Sequence, residues 1–314
     1  MSTNLHPAVA AHLADSAAMG LRPYEELTPA DARAQFTAVA AARRGADHRP
    51  PPPGSVADRA IEVGDRTVVL RIHRPEPAAR PAVATVVFFR GGGWVIGDLD
   101  THEALCRRIS AALPAVVVAV DYSLAPEHPF PAAIEDGEAA TRWVAAHVGE
   151  LGGDPDALVV AGDSAGGAMA AVIARRARDA GGPSLAGQLL LYPVTDLTMS
   201  HASYVEMATG KGLTAATMAW FIGHYGAPAD DPDASPLAAE DLTGLPPAVV
   251  TTAGHDPLRD EGDAYAHRLL DAGVPTVHRR HDGLVHAYAL MDAVPPAVQA
   301  ITADLAALTD LLAS

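Results

Sequence analysis

The chain has 314 residues, is 49% hydrophobic, and carries 22 basic against 38 acidic side chains, a formal charge of −16. That length accommodates one large α/β domain or two smaller ones, and the acidic balance argues against nucleic acid or an anionic membrane surface as a partner. The single cysteine, Cys106, excludes an internal disulfide and fits a reducing compartment.

The opening MSTNLHPAVAAHLADSAAMG lacks a basic stretch followed by an apolar one, so no secretory signal is expected and a cytoplasmic location is. No apolar run in the sequence is long enough to span a bilayer. Residues 5–45 place apolar side chains at helical spacing, with Thr28-Pro29-Ala30-Asp31 as a helix start. RPPPPGS, residues 49–55, reads as a stiff linker. RAIEVGDRTVVLRIHRP then alternates as two antiparallel strands turning at Gly64-Asp65. ATVVFF (84–89) and AVVVAVDY (115–122) are unbroken apolar runs, as expected of strands buried on both faces. THEALCRRISAAL between them reads as a helix, with Cys106 a small core residue.

The alternation continues with helix 131–148, strand 157–162, helix 165–180 and strand GQLLLYP (187–193). After an interruption come strand PAVVTTAG (247–254), helix 260–272, strand PTVHRRH (275–281) and a closing helix from about 296. Such alternation predicts an α/β fold with a mostly parallel sheet and helices on both faces. The interruption, residues 198–235, looks helical and is rich in Met and aromatic residues. It is expected to insert over the sheet edge. With residues 1–54 it could form a helical cap over a core of 55–197 and 236–314; a helical excursion packing its own core fits the sequence as well.

Strand ALVVA runs into Gly162-Asp163-Ser164-Ala165-Gly166-Gly167, and a helix follows. This is G-x-S-x-G between strand and helix, where small residues allow a sharp turn that lifts the serine hydroxyl above the sheet. A serine hydroxyl needs a base to take its proton, and the base needs a carboxylate to orient it. Asp196 in LLLYPVTD and Asp256 in VVTTAGHDPL both follow apolar strands, and the residues alone leave either open. For the base, the loop after the last strand offers His281 and His286 in RRHDGLVHAY, whereas His267 in a helix and His278 in a strand read as structural. His278, His281 and His286 lack an i, i+4 helical pair or a CxxC partner, so no metal site is expected. Attack by such a serine on a carbonyl also creates an oxyanion that preorganised amides must meet. The residue after the nucleophile and a loop after an earlier strand supply them, which gives the glycines of FFRGGGW a purpose. Their spacing does not fit G-x-G-x-x-G, and no P-loop Gly-Lys-Ser/Thr is present.

RGGGWVIG, DYSLAPEHPFPAAIED, GDSAGG, YPVTD, SPL, DPLRDEG and GLVHAY follow one another in an order and spacing that resembles a known family over nearly the full length. That family is the bacterial hormone-sensitive-lipase-like branch of the α/β-hydrolase esterases. The resemblance implies Ser164 as nucleophile, Asp256 as acid with Asp196 the runner-up, and His286 as base. It implies Gly91, Gly92 and Ala165 as oxyanion donors, and no metal or organic cofactor. The activity implied is a serine carboxylesterase acting on short- to medium-chain acyl esters through an acyl-enzyme. Acyl transfer and cleavage of a lactone or amide are alternatives on the same residues. A non-catalytic binder, as the plant gibberellin receptor is, is disfavoured because such relatives lose the histidine. A modest acyl pocket is expected around Trp94, Tyr192, Met207, Met218 and Trp220, each of which reads equally as core. The expected partner is a small-molecule ester, and a homodimer is the assembly allowed for. Three residues depart from the family pattern: Arg90 for the histidine of HGGG, Ser123 for the arginine of DYRLAPE, and Ala287 for the glycine of HGF or HGY. Arg90 and Ser123 are expected to lie close together, with Arg90 supplying the missing guanidinium; the alternative is independent drift, with Arg90 merely reaching solvent.

Overall fold

The apolar runs become the interior strands of one sheet in a computed structural model that describes residues 4–43, 54–76 and 84–313. The strands are β1 (Ser55–Val63), β2 (Arg66–Arg74), β3 (Ala84–Phe89), β4 (Ala115–Asp121), β5 (Leu158–Asp163), β6 (Gly187–Leu191), β7 (Ala248–His255) and β8 (Thr276–Val285). Their order across the sheet is β1-β2-β4-β3-β5-β6-β7-β8. β1 and β2 form a hairpin, β2 pairs antiparallel with β4, and every pairing from β4 to β8 is parallel.

Helices α1 (Pro7–Ala18) and α2 (Pro29–Arg43) precede the sheet; α3 (Glu103–Ala112), α4 (Ala132–Leu151) and α5 (Ala165–Asp179) connect its centre. The short α6 (Ser203–Glu206) and α7 (Ala215–Tyr225) follow β6, and α8 (Arg259–Asp271) and α9 (Pro295–Leu312) complete the fold. Because side chains alternate along a strand, each central strand feeds both faces. Val87 and Phe89 join a core with residues of α4 and α5, while Val86 and Phe88 join another with residues of α3 and α9. Cys106 belongs to the second core, and burial pushes its thiol well above the ordinary range.

Thr28 starts α2 as expected, its hydroxyl accepting the Asp31 N–H, and Thr214 starts α7 through the Thr217 N–H. The N-terminal segment touches α7 directly: the Thr217 hydroxyl donates to Glu25, and the Tyr24 and Phe221 rings lie 6.3 Å apart. Residues 198–235 are less helical than expected, with turns on either side of α6 and α7. The last strand is longer than expected and runs to Val285, so His281 lies inside β8 and not in a following loop. Most of the expected proline linker lies outside the described residues; β1 begins at Ser55. No helix among the described residues is long and apolar enough to cross a membrane.

Candidate active site

β5 ends at Asp163 and α5 begins at Ala165, so Ser164 makes the whole turn. Its φ of 56° and ψ of −120° lie where a β-carbon is costly. The turn is held by the Ser164 N–H on Leu191 O at 2.9 Å, and by the Val194 and Ala168 amides on Ser164 O, each at 3.1 Å. The flanking glycines are required by contact. A β-carbon on Gly166 would sit 1.9 Å from the Phe89 carbonyl oxygen, and one on Gly162 would sit 2.1 Å from that of Gly166.

His286 follows the end of β8, with Nε2 2.9 Å from Ser164 Oγ and Nδ1 2.7 Å from Asp256 Oδ2. Asp256 follows β7, is 1% exposed, and receives the Leu258 N–H on its other oxygen at 3.0 Å. A carboxylate only accepts, so Nδ1 donates to Asp256 and Nε2 is left to accept from the serine hydroxyl. The Tyr192 ring stands edge-on to His286 at 4.9 Å.

The other candidates are engaged elsewhere. Asp196 accepts the Thr198 amide and hydroxyl and lies 3.3 Å from His201, closing its own turn. His281 pairs with Asp304 at 2.9 Å, His278 with Asp263 at 2.8 Å, and His267 packs against His278. Among the described residues no group of three or more His, Cys, Asp or Glu is arranged to hold a metal ion.

The glycine loop departs from expectation at one position. The Gly91 N–H donates to Asp163 Oδ1 at 2.8 Å, so that hydrogen points into the protein and is not available to a substrate. Gly92 and Gly93 have φ of 113° and 57°, and the Val95 and Ile96 amides close the loop onto Gly92 O. The amides of Gly92 and Gly93 have no protein acceptor among the described residues, nor has that of Ala165, the first residue of α5. A β-carbon on Gly93 would strike the Phe221 ring of α7 at 2.2 Å.

Arg90 is 2% exposed: one nitrogen donates to Ile96 O at 3.0 Å, another lies 3.4 Å from Asp121 and Tyr122 O, and the guanidinium stacks over the Tyr122 ring. It thus reaches the residues just before Ser123. The Ser123 amide binds Asp136, a buried carboxylate whose cationic partner is Arg66.

Of the five expected pocket residues, only Tyr192 touches the Ser164–His286–Asp256 group through a described ring contact. Trp94 stacks on Tyr225 at 4.1 Å, and both it and Met218 are buried; Met207 and Trp220 are half-buried. None of the five lines a cavity of about 360 Å³ that opens elsewhere, between α1, α2, α3 and residues 290–293.

Sequence reasoning missed two acids that shape the site. Asp163 anchors the glycine loop, and the signal was a charge ending the otherwise apolar ALVVAGD. Glu261, fully buried, receives the Thr195 amide at 2.8 Å and the Asp196 amide at 3.3 Å, and burial raises its carboxyl well above the usual range.

A family model described as alpha/beta hydrolase fold matches residues 86–290. The chain is similar to "Esterase LipI" of Mycobacterium tuberculosis, 47% identical over 263 residues that cover 82% of each chain. It is also similar to "Ethyl acetate hydrolase" of Pseudomonas putida, 35% identical over 305 residues, 93% of this chain and 94% of the other. Among solved structures, a thermostable esterase from Pseudomonas putida ECU1011 superposes with a TM-score of 0.91 at 41% identity, covering 100% of this chain and 98% of that one.

Proposed function

The chain belongs to the hormone-sensitive-lipase-like family of α/β hydrolases, and from that premise we infer that it is a serine carboxylesterase working through Ser164, His286 and Asp256. The observation that carries this reading is the unbroken chain from Ser164 Oγ through both ring nitrogens of His286 to a buried carboxylate, mounted on a strained turn. Ser164 Oγ attacks the ester carbonyl while Nε2 of His286 takes its proton. Asp256 keeps the ring in the tautomer that leaves Nε2 open, and balances the imidazolium that forms. The carbonyl oxygen becomes an oxyanion, met by the amides of Gly92, Gly93 and Ala165 in place of the Gly91, Gly92, Ala165 set. His286 then gives its proton to the departing alcohol, and water enters by the reverse sequence to free the acid and Ser164.

The described part of residues 1–54 and residues 198–235 act as a cap over this site. The Glu25–Thr217 bond and the seat of Phe221 against Gly93 support that assignment. Short- to medium-chain acyl esters are the substrate class, a reading supported by the relative named for ethyl acetate. A p-nitrophenyl ester series of increasing acyl length tests it: turnover should peak at short or medium acyl groups, and a preference for long chains would contradict it. Product analysis with added alcohol separates hydrolysis from acyl transfer.

A further inference from the structure

Behind the glycine loop lies a buried pair that takes no direct part in the reaction above. Asp163, which holds the Gly91 amide, is 2% exposed. His102, the residue before α3, is also 2% exposed, and its Nε2 lies 3.3 Å from the same carboxylate oxygen, Asp163 Oδ1.

One proton can be placed from these contacts. His102 Nδ1 is 3.0 Å from the Thr101 hydroxyl, which lies 2.7 Å from the Asp98 carbonyl and can give its one hydrogen to either. Nε2 makes no hydrogen bond among the described residues and meets Asp163 at ion-pair distance; without a hydrogen it would set a lone pair against a buried carboxylate. The ring is packed beside Phe36 and Phe88, at 6.5 and 6.3 Å, which keeps bulk water from relieving that contact. Low local dielectric makes like-charge contacts and unmatched charges expensive. The arginine at this loop, Arg90, turns away to Ile96 O and the Tyr122 ring.

We propose that His102 is a positioning residue of the esterase site: its Nε2–H faces Asp163 and offsets the charge of that carboxylate, so that Asp163 anchors Gly91 without opposing the oxyanion formed at Gly92 and Gly93. The proposal rests on the esterase reading. An unbalanced carboxylate one hydrogen bond behind the donors disfavours negative charge in the transition state more than it disfavours neutral ester in the ground state. Removing the ring therefore acts on kcat and leaves KM nearly unchanged.

The test compares His102→Leu, Asp163→Asn and their combination in the full chain, with kcat and KM on a p-nitrophenyl ester. His102→Leu should lower kcat by roughly tenfold or more at near-constant KM, because the carboxylate is left unmatched. Adding Asp163→Asn, which removes the charge but keeps an oxygen for the Gly91 amide, should recover most of that loss. Parental kcat in His102→Leu, or a double variant no faster than it, overturns the proposal. Labelling of Ser164 by an organophosphonate is scored in every variant, so failure of the esterase reading shows separately as a parent that does not label. Should His102→Leu not fold, the ring 15N spectrum of the parent protein decides. The His102 ring, assigned by its contacts with Phe36 and Phe88, should show a hydrogen on Nε2. An Nε2 without hydrogen contradicts the proposal.

Discussion

Ser164 holds its backbone at φ 56°, where a non-glycine residue stores strain on the order of 1–3 kcal/mol. If the strain exists to expose the hydroxyl, the two properties should separate on substitution. Ser164→Ala keeps the β-carbon and the strain, and should lose nearly all esterase activity at unchanged stability. Ser164→Gly should be equally inactive yet raise the denaturation midpoint by the equivalent of about 1 kcal/mol. A glycine variant no more stable than the alanine one would mean that the turn is not strained. At the acid, Asp256→Asn leaves His286 Nδ1 without a carboxylate and should cost roughly 10³–10⁴-fold in kcat. Asp196→Asn touches only Thr198 and its neighbours and should stay within a small factor. Comparable losses in the two would leave the orienting acid unassigned. These roles were half legible in the sequence. G-x-S-x-G and the chain order marked Ser164, but both aspartates follow apolar strands, and only family likeness preferred Asp256. The direction of the Gly91 amide was not legible, because a run of three glycines does not say which N–H an inward carboxylate will claim.

Polar links tie the elements to one another. Arg33 of α2 reaches Val95 O and Ala125 O, both at 2.8 Å, and pairs with Glu127, so it fastens the N-terminal helices to the glycine loop. The Arg33 guanidinium holds the Glu127 carboxyl down at about 2, against an ordinary 4.5. A carboxyl lowered in the folded state stabilises above its unfolded pKa, and the gain is lost as pH falls through the folded value. The parent should therefore exceed Glu127→Gln in urea midpoint at neutral pH, by only tenths of a kcal/mol because the pair is exposed. That gap should shrink from about pH 4.5 and vanish near pH 2; a constant gap contradicts the assignment. β8 is fastened to α9 by His281 on Asp304, which also takes the Tyr288 hydroxyl at 2.6 Å. His281→Ala leaves a wholly buried carboxylate with one partner fewer, and should cost about 1–3 kcal/mol of stability with little change in kcat/KM. A large loss of activity at parental stability would reverse that role. The sequence underestimated β8 because RRHDGLV is polar, and an edge strand with one neighbour tolerates charge. It overestimated helix in 198–235 because the glycine signals at Gly210 and Gly212, with φ of 77° and 91°, were passed over for the apolar pattern around them.

Across the whole molecule, the sheet was the most legible feature. Strands buried on both faces need continuous apolar sequence, and β3, β4 and β5 show it without interruption. Their carboxyl ends bring together segments far apart in the chain: the glycine loop after β3, the serine turn after β5, Asp256 after β7 and His286 after β8. Single-sequence reasoning sees these segments separately, so the contacts between them, such as Asp163 with Gly91 and His102, stayed hidden. The convergence at one edge is also why a single chemical probe can test the reading of the fold and of the reaction together. An alkyl p-nitrophenyl phosphonate mimics the ester and is trapped by a serine that has both its base and its oxyanion donors. Intact-mass and peptide analysis after treatment should show one adduct per chain, on Ser164, in step with loss of esterase activity, and none in Ser164→Ala. An adduct on another residue, or full activity in a chain labelled at Ser164, would contradict Ser164 as the nucleophile.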